Sequence, residues 1–131
     1  MKARTTTVNV LWLATIAYAS LLMWLAIVHV PMRMVPASQW QLDKLYHGVA
    51  YMVLGVLVAR TLWLSGPSLS RRLVAACAIA VVLGYGVMTE RLQAAVYWRS
   101  VEELDAAANA AGALLGVAVW SRLEPRESGE H

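Results

Sequence analysis

Four long apolar runs, separated by short polar segments, set the pattern of this chain. The first, residues 8–32, is interrupted only by Asn9, His29 and hydroxyl side chains, and ends around Pro31. The second, 45–64, carries His47 and Arg60, while the third, 73–89, has no charged residue. The fourth, 106–121, is rich in alanine and glycine and contains Asn109. A helix that crosses the hydrocarbon layer of a bilayer takes ~20 residues, with ~17 as the lower limit. The first two runs meet that length, the third reaches the limit, and the fourth meets it if its helix starts near Glu103. The runs are too long for strands and lack the alternation of a lipid-facing barrel. The pattern therefore predicts an all-α, polytopic membrane protein: one domain, 1–131, with four helices at about 43–64, 71–93, 103–122 and, at the start, 8–32.

Composition strengthens that reading. Hydrophobic residues make up 60% of the 131 and charged residues 15%. A soluble chain this small keeps most of its residues near water and cannot hide so much apolar surface. The start of the chain has a rival reading as a signal peptide, with Lys2 and Arg4 as its basic end and Val35-Pro36-Ala37 as its cleavage site. Its apolar run far exceeds the ~7–15 residues of a signal core, so it is expected to be a retained helix.

Charge sets the expected orientation. With the N-terminus inside, Lys2, Arg4, Arg60, Arg71, Arg72, Arg122 and Arg126 fall on the cytoplasmic side, and Arg33, Lys44, Arg91 and Arg99 on the other. The positive-inside rule then places both termini in the cytoplasm. The net charge of +3 is spread over scattered bases, which argues against nucleic acid and suits anionic lipid headgroups. A single cysteine, Cys77, excludes an intrachain disulfide and cysteine-rich metal sites. No cofactor or metal is implied. Most of the six tryptophans are expected to be interfacial anchors.

On this topology the ionisable residues gather at the outer ends of the helices. Asp43, His47 and Tyr51 follow at i, i+4, i+8 on the second helix. Glu90, Gln93 and Tyr97 follow at i, i+3, i+7 if the third continues that far. Asp105, Asn109, Gly112 and Gly116 follow at i, i+4, i+7, i+11 on the fourth. An acid or base facing lipid at mid-helix costs ~2.5–3.5 kcal/mol, so the stripes are expected to face one another. Gly112 and Gly116, as a small-xxx-small pair, would let the fourth helix approach a neighbour closely. Each residue also has a plainer reading. Asp43 and Asp105 at helix starts would cap free amides, and Lys44 and Arg99 would snorkel to headgroups.

The ordered set Asp43-Lys44-x-x-His47, Glu90-x-x-Gln93, Arg99-Ser100 and Asp105-x-x-x-Asn109-x-x-Gly112 resembles the VanZ-like family of small integral membrane proteins. It covers roughly residues 43–116. Between Gln93 and Arg99, where the family often has proline and glycine, this chain has Ala94 to Trp98. The resemblance implies a helical protein of the bacterial inner membrane, in a family linked to low-level resistance to the glycopeptide teicoplanin. It supplies no reaction. Asp43, Lys44, His47, Glu90, Gln93, Arg99, Asp105 and Asn109 are the candidate ligand-pocket residues, with no catalytic residue assigned. Three readings stay open: a protein that binds an envelope lipid, a lipid-linked glycan precursor or a glycopeptide; a membrane enzyme using His47, Glu90 and Asp43 or Asp105; and a structural or transport component, for which an oligomer would be needed to form a pathway.

Overall fold

In a computed structural model the described residues are 2–28, 37–97 and 103–124, with the side chains of 2–3, 37–43, 97 and 103 excepted. They form four helices: α1 (Lys2–Val28), α2 (Ala37–Ser65), α3 (Arg71–Tyr97) and α4 (Glu103–Leu123). Each contains a stretch long and apolar enough to cross a membrane. α1 starts at Lys2 and α2 at Ala37, before the expected 8 and 43, and α3 ends at Tyr97, after the expected 93. Residues 29–32 of the expected first helix lie outside the described residues. Polar residues such as Gln39, Gln41 and Asp43 extend α2 beyond its apolar run. Asp43 consequently stands two turns into α2 and is not at a helix start, which removes the capping role for it. Asp105 is the third residue of α4, within the first turn.

The α2–α3 connection shows how local sequence turns the chain. Gly66 ends α2, its amide donating to the Leu62 carbonyl at 3.0 Å. Gly66-Pro67-Ser68-Leu69 makes a β-turn with proline at its second position, closed by Leu69 N–H to the Gly66 carbonyl at 2.9 Å. Ser70 then caps α3, its hydroxyl oxygen accepting from the Leu73 amide at 3.2 Å.

α2 and α4 make the most intimate pair, α3 packs on both, and α1 lies against α2 and α3 without touching α4 among the described residues. Glycine brings α2 and α4 together. A Cβ on Gly112 would run into the Gly48 carbonyl oxygen, and one on Gly116 into that of Met52. One on Gly55 would lie 3.0 Å from the Ala113 carbonyl oxygen. The core between α2, α3 and α4 is small-grained, with Val58, Ala59, Val74, Ala78, Val82, Ala113 and Val117 around Leu54 and Trp120. Such close packing suits lipid, where apolar side chains gain little by leaving the solvent and van der Waals contact does the work. The outside is apolar too: Val10, Leu13, Ile16, Trp24, Leu45, Leu114, Leu115 and Leu123 are exposed. In water this surface would aggregate.

α1 is held differently. Among its described side chains only Thr15 is buried. Polar ties fix it instead: Thr15 and Thr61 hydroxyls at 2.9 Å, Trp12 Nε1–H to Ser65 Oγ at 3.0 Å, and Tyr18 O–H to the Ala50 carbonyl at 3.1 Å. Tyr85 of α3 donates to the Ala19 carbonyl. Trp120 departs from the expected role as an interfacial anchor: it is 1% exposed, with Trp63 edge-on to it at 6.0 Å. The Arg71 guanidinium lies 5.5 Å over the Trp120 ring and donates to the Ser121 and Glu124 carbonyls at 2.6 and 2.7 Å. A cation there satisfies carbonyls that α4 leaves unpaired at its C-terminus.

Candidate functional site

The expected polar cluster forms at the opposite end, where α2, α3 and α4 converge. Close approach of α2 and α4 at Gly48 and Gly112 brings their outer turns together. Further out, one turn from Gly48 and two from Gly112, Lys44 Nζ and Asp105 Oδ1 make an ion pair of 2.9 Å, with 24% and 14% of the side chains exposed. Deeper, Asn109 Nδ2 donates to Glu90 Oε1 at 3.2 Å, joining α4 to α3. Glu90 lies within electrostatic reach of both Asp105 and His47. Glu90, His47, Asp105 and Asn109 therefore share one neighbourhood although they come from three helices.

Depth makes this cluster unusual. α3 has 27 residues and is ~40 Å long, against ~30 Å of hydrocarbon. Centred on the bilayer, it places Glu90, seven residues before its end, inside the apolar boundary. Asn109 is 5% exposed. Its Oδ1 is buried with no hydrogen-bond partner, and the hydrogen bond described for Glu90 is the one it accepts from the Asn109 amide. A buried amide oxygen left unpaired costs ~1–3 kcal/mol. Around it the helix faces are apolar, with Leu45, Tyr46, Val49 and Leu104 exposed.

Below the cluster lie Tyr51 and three residues that the polar stripes did not single out, Tyr85, Gly86 and Thr89. Tyr51, predicted on the His47 stripe, is 4% exposed, with its ring 6.1 Å from that of Tyr85. Thr89 is hydrogen-bonded to the Tyr85 carbonyl at 2.9 Å and interacts with both tyrosine side chains. Gly86 makes the room: a Cβ there would lie 3.1 Å from the Tyr51 ring and 3.7 Å from Asn109 Cβ. A signal existed in the sequence, since Gly86 stands one turn before Glu90 on the same face of α3. Gly48 and Gly55, spaced i, i+7 on α2, were legible in the same way.

The predicted residues have different fates. Lys44, His47, Glu90, Asp105 and Asn109 come together. Gln93 sends its amide nitrogen the other way, donating to the Ala26 carbonyl of α1 at 3.1 Å. Glu90 and Gln93 thus reach from α3 toward opposite neighbours, α4 and α1. Arg99 lies outside the described residues, and so do the side chains of Asp43 and Tyr97. Among the described residues no three of His, Cys, Asp and Glu converge as metal ligands do. A shallow groove of about 470 Å³ lies apart from the cluster, between α1 and α3, lined by Ile16, Met23, Trp24 and Ile27 with Tyr85. It is apolar and holds none of the cluster's chemistry. Comparison with protein-family models, curated proteins and solved structures finds no match to this chain.

Proposed function

We propose that this chain is a VanZ-like protein of the bacterial cytoplasmic membrane that binds the polar headgroup of an envelope lipid or lipid-linked glycan precursor. The observation that carries the reading is the unpaired Asn109 Oδ1, nine-tenths buried beside the Glu90 carboxylate. Groups kept at such cost inside a membrane bundle mark sites for polar ligands. Lys44 and His47 line the same end and supply donors for phosphate or carboxylate, while Glu90, Asp105 and Asn109 supply acceptors for hydroxyl and amide groups. Both termini face the cytoplasm on the balance of basic residues, so the cluster opens outward.

One observation favours a second reading. His47 acts electrostatically on Glu90, and an imidazole near a carboxylate is the minimal equipment for proton transfer in a membrane enzyme. Native mass spectrometry in mild detergent tests the binding reading. The wild-type chain should retain a lipid that His47→Ala and Asp105→Asn release. Equal retention by all three would refute it, and turnover of the bound lipid by the wild type alone would favour the enzyme. Labelling tests the orientation: Ser100→Cys should react with an external thiol reagent and Ser68→Cys should not.

A further inference from the structure

Resting on that headgroup-binding reading, we infer that the deep end of the site takes a primary ammonium group, held between the Glu90 carboxylate and Asn109 Oδ1. The argument is a donor and acceptor account. Asn109 spends one amide hydrogen on Glu90 Oε1 at 3.2 Å, which leaves its own Oδ1 and the second Glu90 oxygen as neighbouring acceptors. Nothing described donates to either. A ligand that completes this pair must therefore donate at least twice from one point. A phosphate donates nothing at neutral pH, a hydroxyl donates once, a trimethylammonium has no N–H at all, and a water donates twice but brings no charge. An ammonium carries three donors on one nitrogen.

Charge selects the same group. The described cluster holds two carboxylates, Glu90 and Asp105, with the Lys44 cation paired to Asp105 at 2.9 Å and the His47 imidazole within electrostatic reach of Glu90. Glu90 has the Asn109 amide and the His47 imidazole nearby but no lysine or arginine among the described residues, so the deep end favours a positive partner in a medium of low dielectric. A cation that also donates hydrogen bonds meets both demands, and charge-assisted bonds are the stronger kind. The exposed Leu45, Tyr46 and Leu104 around the cluster suit the acyl chains of a lipid-borne amine. The headgroup of an aminophospholipid places a phosphate a few bonds from its ammonium, within the compass of Lys44 and His47 at the same helix ends.

The test uses the full chain, delipidated and reconstituted into nanodiscs of phosphatidylcholine alone or with added phosphatidylethanolamine or phosphatidylglycerol. Lipid retention is read by native mass spectrometry and stability by thermal melting. Phosphatidylethanolamine should be retained at least tenfold over phosphatidylcholine and should raise the melting temperature. Glu90→Gln should abolish both effects, because its new amide satisfies Asn109 Oδ1 internally and removes the charge. Gly84→Ala, which faces open space, should keep them. Soluble phosphoethanolamine added to phosphatidylcholine discs separates the sources. Protection by it assigns a free amine, and protection by the lipid alone assigns a membrane ligand, with the ammonium chemistry upheld in either case. Equal retention of the two zwitterionic lipids, or a preference that survives Glu90→Gln, overturns the ammonium assignment. If phosphatidylglycerol is preferred and the preference depends on Lys44 or His47, the ammonium assignment fails while the headgroup reading stands. If no lipid responds to substitution at Lys44, His47 or Glu90, both fall.

Discussion

Adding one methyl group to Gly112 or Gly116 should separate the two helices on which the site is built. A Cβ at either position would overlap a backbone carbonyl oxygen of α2, well inside the 3.0 Å that real Cβ atoms keep. A carbonyl fixed in a helix cannot rotate away as a side-chain tip can. Relief then requires α2 and α4 to move apart by roughly 1 Å, enough to forfeit a quarter to a half of each contact's dispersion energy along the seam. Overpacking of this kind costs ~1–3 kcal/mol, set against a gain of ~0.5–1 kcal/mol from replacing glycine by alanine within a helix. Each of Gly112→Ala and Gly116→Ala should thus lose a net ~0.5–2 kcal/mol. The double variant should lose less than the sum, because helices already parted meet the second methyl more easily. Gly84 is the internal control: a Cβ there meets nothing within 4 Å, so Gly84→Ala should be neutral or slightly stabilising. Unfolding by SDS titration in mild detergent, followed by circular dichroism, measures all four. If the seam variants unfold together with Gly84→Ala, the close approach of α2 and α4 is wrong, and the placement of Lys44 beside Asp105 falls with it.

Other contacts carry their own expectations. Lys44→Gln and Asp105→Asn should each destabilise, with a coupling of ~1–2 kcal/mol, between the limits for exposed and fully buried pairs; singles that simply add would exclude the ion pair. Thr15→Val should cost ~1 kcal/mol by stranding the Thr61 hydroxyl, and the Thr15→Val/Thr61→Val double should recover most of it, so a double that is worse than either single would sink this account. Gln93→Leu should raise hydrogen exchange in the last turn of α1, near Ala26, while lowering overall stability by no more than ~1.5 kcal/mol; unchanged exchange there would mean that Gln93 does not fasten α1.

Four spanning helices were legible in the sequence because a bilayer leaves a backbone few choices: a run of ~20 apolar residues must satisfy its own amides and carbonyls, and the helix does so locally. The i, i+4 stripes were legible for the same reason, since helical geometry puts Asp105, Asn109, Gly112 and Gly116 on one face before any neighbour is present. Pairing between helices was not. A stripe gives a direction from its own axis but not the partner across from it, and helix ends set by polar residues escape an apolar-run criterion, as α2 shows by starting at Ala37. Only the packed bundle matched Lys44 with Asp105 and Asn109 with Glu90, and turned Gln93 to α1 although it lies three residues from Glu90. The same packing drew Trp120 into the core, where a count of tryptophans suggested an interface. The reason is steric: α2 and α4 approach at the glycines that leave their backbones bare, and that contact fixes the rotation of every side chain along the seam.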